Sequence, residues 1–336
     1  MSHLVIFDME WNMGYRPRTF NYCGVEQVLR GEIIQIGAVK LEGKKIIDRF
    51  SVILRPTIFR KLHHHVAKVT GLTQKQVSQG LSIGDGLQRF REWCGEDAIL
   101  GEWGHDDVPV LKQNLVLQGQ DESWPARWVD LQKVYTLQHP LQEGEGLALK
   151  SVVERLGIEN RDDFHDALAD AFYTAEVMQT VDLEAGLNNY PSEQSQLHDL
   201  LFPENRQRYD FISWGGYADG GAWNVDPVIR TAVCPQCGCP LIPDSDDLWL
   251  SRGNNCMYSM GTCKKHGPTM VWLRRSCSDG LHYMFARATE KADEETVNKW
   301  THDKKTVLER ALRKQEKENR NETDQNRKLP AAHRKS

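Results

Sequence analysis

No apolar run in this 336-residue sequence approaches the ~20 residues that span a bilayer, which excludes a transmembrane helix and predicts no membrane partner. The amino terminus lacks both a basic start and a long apolar stretch, which argues against a secretory signal. Without export, the expected location is cytoplasmic, and the eight cysteines are expected as thiols or metal ligands rather than disulfides. No internal repeat is visible, which sets aside repeat architectures. An excess of positive charge is missing as well. There are 42 Lys and Arg against 47 Asp and Glu, a net charge of −5, which is not the balance of a nucleic-acid-coating protein.

In other respects the composition is that of an ordinary soluble protein: 40% hydrophobic, 26% charged, and long enough for two domains with one sizeable core. The overall charge conceals an asymmetry. Residues 227–336 hold 20 Lys and Arg against 14 Asp and Glu, a balance of +6; residues 1–226 hold 22 against 33, a balance of −11. An acidic front suits a site that concentrates divalent cations, and a basic back suits phosphate contact. Two plain solvated surfaces would give the same numbers.

Hydrophobic patterning predicts an α/β chain. Residues 4–8 read as a buried strand, 32–41 as a second and 49–54 as a third, with Gly43 in the turn between the last two. Helical spacing follows at 73–77 and 83–94, a short strand at 98–101, a helix at 108–118, a short strand at 129–131, and further helices at 147–156 and 166–181. Three early strands followed by helix–strand–helix units argue for a mixed sheet. Residues 184–226 turn irregular (Asn188-Asn189-Tyr190-Pro191, Gly215-Gly216, Gly220-Gly221) and read as a linker or packing segment. A cysteine-rich module occupies 227–288. Residues 289–336 form a charged, weakly helical tail, with about the last fifteen expected to be disordered.

Four acids and a histidine fall where separate elements would deliver them. Asp8 and Glu10 end the apolar run Leu4-Val5-Ile6-Phe7; Asp107 follows Trp103-Gly104-His105-Asp106; His165 and Asp170 frame His-Asp-Ala-Leu-Ala-Asp. No short Asp-x-Glu string is specific, but the ordered set is. It resembles the DEDDh 3′–5′ exonucleases, the group of polymerase proofreading subunits, RNase T, oligoribonuclease and RNA-trimming enzymes linked to RNA interference. The resemblance covers roughly residues 1–183 and implies a ribonuclease-H-like fold there.

Hydrolysing a terminal phosphodiester requires deprotonating a water, neutralising charge on the phosphorane and stabilising the departing alkoxide. Two divalent cations about 3.5–4 Å apart can do all three. Magnesium prefers carboxylate oxygens and retains waters, so acids from different elements must converge. Two apart on a strand, Asp8 and Glu10 point to one side. The resemblance implies that Asp8, Glu10, Asp107 and Asp170 hold two Mg²⁺ or Mn²⁺ ions and that His165 is the general base. Histidine's reference pKa of about 6.5 suits that duty.

Two neighbours compete. Asp106 stands beside Asp107 and is read as a helix N-cap; Asp166 precedes Asp170 and is read as a first-turn acid favoured by the helix dipole. The string Trp-Gly-x-x-Asp-x-x-x-Leu, from Trp103 to Leu111, resembles the second motif of the RNA-trimming branch and favours Asp107. His165 and Asp170, five apart, lie about 140° around a helix, so His165 is expected on the preceding loop. The tyrosine subfamily would carry Tyr four before Asp170, where this chain has Asp.

Trp11, where many relatives carry a small or hydroxyl residue, opens a long connection, 13–30, that holds Tyr15, Arg16, Arg18 and Phe20. Trp11 is expected to stack a terminal base and the arginines to meet phosphate; a hairpin packed on the sheet is the alternative. Thr70-Gly71-Leu72-Thr73 resembles the family loop at the last base, so Thr70 and Leu72 join the expected substrate contacts. His63-His64-His65 is read as a polar loop, since adjacent histidines cannot all face one ion.

Cys234-Pro-Gln-Cys237-Gly resembles a zinc knuckle, and Cys263-Lys-Lys-His266-Gly repeats it after an interval of 25 residues. Together they resemble a zinc ribbon, a small β module holding one structural Zn²⁺ through Cys234, Cys237, Cys263 and His266. Cys239, Cys256 and Cys277 leave that ligand set open. Lys264, Lys265, Arg274 and Arg275, with Trp249 and Trp272, are expected to form a strip for nucleic acid; a folding staple or dimerisation element is the alternative.

The expected protein is a metal-dependent 3′–5′ exonuclease of single-stranded nucleic acid, RNA favoured over DNA, releasing nucleoside 5′-monophosphates. A DNA proofreading or repair exonuclease is the alternative within that class, and a non-catalytic adaptor on a nuclease scaffold the alternative outside it. Retention of all five site residues argues against the adaptor. Homodimerisation is suggested by the resemblance alone.

Overall fold

The computed structural model describes residues 3–142, 145–159, 165–201, 209–244, 248–253 and 255–328. It divides into two compact units. The first comprises Met1–Ser192, Tyr217–Asp219 and Cys277–Tyr283; the second comprises Glu193–Gly216, Gly220–Ser276 and Met284–Ser336.

In chain order the first unit contains β1 (Leu4–Asn12), β2 (Thr19–Tyr22), β3 (Val25–Val28), β4 (Glu32–Glu42), β5 (Lys45–Arg55), α1 (His64–Thr70), α2 (Gln74–Gln79), β6 (Leu81–Ser82), α3 (Ile83–Cys94), β7 (Ile99–Glu102) and α4 (Asp107–Leu117). It continues with β8 (Trp128–Asp130), α5 (Leu131–Gln138), α6 (Leu149–Arg155), α7 (Ala167–Met178) and α8 (Leu183–Asn188). Six strands form one sheet in the order β6-β5-β4-β1-β7-β8, and only β4 runs against the others. This is the mixed sheet flanked by helices that the patterning predicts.

β1 is apolar on both faces because it lies mid-sheet with helices above and below. Leu4 and Ile6 enter a core shared with Ala171, Val177 and Met178 of α7, while Val5, Phe7 and Met9 enter one shared with Phe90 of α3 and Leu111 of α4. The two-residue period then puts Asp8 and Glu10 on the α7 side, where the apolar run ends.

Several expectations are corrected. Residues 63–65 are not a polar loop: His63 Nδ1 accepts the His65 N–H at 3.3 Å and opens α1, which Gly71 closes at φ 69°. The 13–30 connection contains the hairpin β2–β3, the alternative reading of that segment and no correction. Leu131 begins a helix instead of ending a strand, because the Asp130 side chain accepts the Lys133 N–H at 3.1 Å and caps α5. Residues 184–226 are not irregular, since they include most of α8, then α9 (Glu193–Leu201), β9 (Tyr209–Tyr217) and a 3₁₀ turn, Ala222–Asn224.

Within the first unit, Cys277–Tyr283 packs on α4. Lys112 Nζ lies 3.8 Å from Asp279 Oδ2, both nearly buried, and Gln113 Nε2 donates to Gly280 O at 3.2 Å. Asp279 also accepts the backbone N–H groups of Leu281 and His282.

The second unit adds α10 (Pro227–Arg230), β10 (Ile242–Pro243), β11 (Leu250–Gly253), β12 (Cys256–Cys263), β13 (Gly267–Ser276), β14 (Tyr283–Lys291) and α11 (Glu294–Lys328). Its sheet runs β10-β12-β13-β14-β9, with β11 paired to β12. The core gathers Met260, Met270, Trp272, Ala286 and Trp300. Disorder was expected over about the last fifteen residues, but α11 continues to Lys328, and 329–336 lie outside the described residues. No Gly or Pro interrupts 294–328, and strong helix formers dominate it. Among the described residues no helix is long and apolar enough to cross a membrane.

Candidate metal centres

The first centre forms where β1 meets the start of two helices. Asp8 and Glu10 are half-buried on β1, and a bulge against β4 falls between Glu10 and Trp11. Asp107 opens α4, is buried, and accepts the Met9 N–H through Oδ1 at 3.0 Å. Its own N–H donates to Glu102 Oε2 at 2.7 Å. Glu102, buried at the end of β7, thus serves the start of α4 in place of Asp106. The expected capping role of Asp106 is corrected: its backbone is already helical (φ −105°, ψ −25°), its side chain receives no capping N–H, and it pairs with Arg30 at 3.2 Å.

Asp170 lies buried in the first turn of α7, and its Oδ2 accepts the His165 N–H at 3.0 Å. Its Oδ1 is buried without a hydrogen-bond partner among the described residues. Asp166 sits just outside the helix as its N-cap, accepting the Leu168 and Ala169 N–H groups at 3.1 Å; its other oxygen accepts from Gln35 Nε2 at 2.9 Å. His165 is exposed on the preceding loop in the left-handed region, φ 72°. One ligand atom each from Glu10, His165 and Asp170 lies within 4.8 Å of the others. Asp8 and Asp107 stand outside that tight group, yet their charges reach it.

The electrostatics record the crowding. Burial, then the charges of Asp107, Asp170 and Glu10, raise Asp8 well above the usual carboxylate range. Burial, then Asp170 and Asp107, push Glu10 up to about 8. Burial lifts Asp107 to about 7 against the pull of the Met9 N–H, and raises Asp170 against that of His165. Mutually repelling carboxyls around an orphaned oxygen fit a hard divalent cation, which would neutralise the repulsion and complete that oxygen's coordination.

Close approach of α7 to the sheet makes this possible. Gly37 pairs with Asp8 across β4, and a Cβ there would stand 2.0 Å from Leu168 N and 2.1 Å from Ala167 C. Only glycine leaves room for the α7 amino terminus on the strand. Sequence reading missed Gly37, Gln35 and Glu102. A glycine inside a strand pattern was the available signal for the first; nothing local marked the other two.

The expected substrate contacts Trp11, Thr70 and Leu72 each pack or hydrogen-bond within the first unit. Trp11 is half-buried against the core, its ring where a Cβ on Gly31 would come within 2.5 Å. Part of its surface is therefore engaged in packing. Thr70 Oγ1 donates to Val66 O at 3.0 Å and accepts the Leu72 N–H at 3.1 Å, and Leu72 is buried with Leu62 and Val77.

The second centre brings together Cys234, Cys237, Cys263 and His266, with one ligand atom of each within 4.8 Å of the others. Cys234 Sγ to His266 Nδ1 is 3.4 Å, while Cys263 Sγ lies 3.7 Å from both His266 Nδ1 and Cys237 Sγ. Tetrahedral zinc, with Zn–S of about 2.3 Å and Zn–N of about 2.0 Å, sets ligand separations of about 3.5–3.8 Å. Gly238 and Gly267 make the turns at φ 67° and 82°. The Lys265 N–H, then that of His266, draws the Cys263 thiol down to about 6, favouring the thiolate. Cys239, Cys256 and Cys277 stand outside the group. Trp272 is withdrawn from the strip expected beside it. Lys264 and Lys265 are exposed and Arg274 is half-buried, but Trp272 is buried and donates to Glu290, and Arg275 donates to Gly220 O and Asn255.

Residues 20–178 match the RNase T family model, described as exonuclease; the matched stretch includes Asp107, His165 and Asp170 but not Asp8 or Glu10. A probable 3′-5′ exonuclease, KapD of Bacillus subtilis, is 27% identical over 54% of this chain and 85% of its own length. DNA polymerase III subunit epsilon of Aquifex aeolicus is 28% identical over 45% of this chain and 71% of its own length. The PolC-type DNA polymerase III of Clostridium perfringens is 28% identical over 44% of this chain, which spans only 10% of that polymerase. Among solved structures, the nuclease domain of 3′hExo bound to rAMP matches with a TM-score of 0.45 at 22% identity, over 55% of this chain and 94% of that one.

Proposed function

We propose, from an amino-terminal domain matched to the exonuclease family over residues 20–178, that this protein is a metal-dependent 3′–5′ exonuclease of single-stranded nucleic acid, releasing nucleoside 5′-monophosphates. The convergence of Glu10, His165 and Asp170, with Asp8 and Asp107 coupled to them by charge, is the observation that carries this reading. Asp8, Glu10, Asp107 and Asp170 are the residues that would hold two Mg²⁺ or Mn²⁺ ions, which when bound supply charge neutralisation and water activation. The Met9 and His165 N–H groups hold the Asp107 and Asp170 carboxylates in place. His165, exposed beside them, takes the proton from the attacking water. Cys234, Cys237, Cys263 and His266 would hold one structural Zn²⁺ that stabilises the second unit.

RNA is the favoured substrate. A DNA proofreading or repair exonuclease is the second reading, supported by the likeness to DNA polymerase III proteins. The test is 3′-end shortening of 5′-labelled RNA and DNA oligonucleotides with Mg²⁺ or Mn²⁺. Asp8→Ala should abolish it, and His165→Ala should lower kcat about 10²–10⁴-fold. Shortening of DNA alone would select the second reading. If neither polymer were cut, the chain would be an adaptor.

A further inference from the structure

Two stretches of the first unit carry charge of the opposite sign to the whole. Residues 1–226 have a balance of −11, yet residues 49–84 contain no Asp or Glu and six Lys and Arg. Residues 11–25 likewise contain no acid, and they hold Arg16 and Arg18. These two acid-free stretches meet at an aromatic cluster. Tyr15, 70% exposed, has its ring centroid 4.3 Å from that of His63, and its plane lies within 12° of the His64 ring. The Tyr15 hydroxyl and His64 Nδ1 are 3.0 Å apart.

Buried polar groups pin the loop behind this cluster. Asn12, fully buried, donates through Nδ2 to Phe59 O at 2.7 Å and Lys61 O at 2.9 Å, and accepts the His63 N–H at 2.9 Å. Glu32, also buried, accepts the N–H groups of Thr57, Ile58 and Phe59. A Cβ on Gly14 would come 2.7 Å from the Phe59 ring, so glycine there lets the Tyr15 segment lie against the loop. Asn12 is two residues beyond Glu10 on β1, which ties the cluster to the acidic site. An exposed aromatic ring against a loop pinned by buried polar side chains, on two stretches of chain that carry cations and no acids, has the chemistry of a base-stacking platform.

We propose that Tyr15, backed by His63 and His64, stacks a base of the single strand upstream of its 3′-terminal nucleotide, with Arg16, Arg18 and Lys61 meeting its phosphates. This deepens the exonuclease reading and rests on it for the direction of the strand.

The experiment measures binding of a 5′-labelled 12-mer by anisotropy in an Asp8→Ala background, where nothing should be cut. Hydrolysis of the same 12-mer and of a p-nitrophenyl ester of a single nucleotide is measured in parallel in the otherwise wild-type protein. Tyr15→Ala should raise Kd and KM for the 12-mer about tenfold, within the range of one lost base stack. It should leave kcat, and turnover of the single-nucleotide ester, unchanged. Tyr15→Trp should restore binding, and Arg16→Ala with Arg18→Ala should flatten its salt dependence. Wild-type 12-mer affinity in Tyr15→Ala, or no rescue by Trp, would overturn the platform. Tyr15-dependent binding in a protein that cuts nothing would keep the platform as a nucleic-acid site and overturn only the exonuclease reading.

Discussion

Glu10 makes the acidic centre measurable without any substrate. Its carboxyl is carried from 4.5 to about 8, first by burial and then by the charges of Asp170 and Asp107. The folded-state value lies above the unfolded one, so folding takes up a proton between those limits. The stability this group contributes is present below about pH 4.5 and lost as pH rises through about 8. At about 1.4 kcal/mol per pH unit, the loss from about pH 5 to pH 8 is roughly 4 kcal/mol, trimmed somewhat because Glu10 is half-buried. For a unit of this size that amounts to a fall in Tm of about 10 °C.

The perturbation is Glu10→Gln. The assay is calorimetric unfolding across that pH range without added Mg²⁺ or Mn²⁺ and with zinc retained. The wild type should lose stability steadily with rising pH. The variant should show a shallower slope and be the more stable protein near pH 8. Adding Mn²⁺ should flatten the wild-type curve far more than the variant's, because cations replace the protons. Parallel curves for the two proteins would refute the claim that these carboxyls crowd one another.

Gly37→Ala should drive the α7 amino terminus off β4 and lower kcat/KM at least about 100-fold, as misplacement of a catalytic group by about 1 Å can; kinetics with circular dichroism to confirm the fold would check it, and near-normal activity would contradict the seat described for α7. Elemental analysis of protein purified without chelators should find one zinc per chain. Cys237→Ala should lose it and destabilise the second unit by several kcal/mol, zinc binding being worth on the order of 10 kcal/mol. Asp279→Ala should cost about 3–5 kcal/mol in urea unfolding by leaving Lys112 buried and uncompensated, and adding Lys112→Met should recover most of that.

Most of the first unit was legible because its strands and helices bury apolar faces at regular periods. β4 and α3 could be read from Ile33, Ile36 and Val39 and from Ile83, Leu87 and Phe90 with little help from context. The errors cluster where one hydrogen bond decides. His63 capping α1, Asp130 capping α5 and Glu102 displacing Asp106 each depend on where one side chain turns, which residue type alone does not specify. The role expected of Trp272 failed for another reason. Aromatic rings suit cores and ligand sites equally well, and only packing shows which face is covered.

The sequence by itself determined the alternation of strand and helix in residues 4–181, the order in which the acids arrive, and the pairing of Cys234-x-x-Cys237 with Cys263-x-x-His266. Those features rest on local periodicity and on chemistry repeated at short spacing. Tertiary structure alone decided that the α7 amino terminus lies on Gly37, that Asp166 accepts from Gln35 while Asp170 keeps one oxygen unpartnered among the described residues, and that Tyr15 lies against His63. Gly37 with α7, Gln35 with Asp166 and His63 with Tyr15 are each far apart in the chain, and their separation in space depends on how closely two backbones can approach.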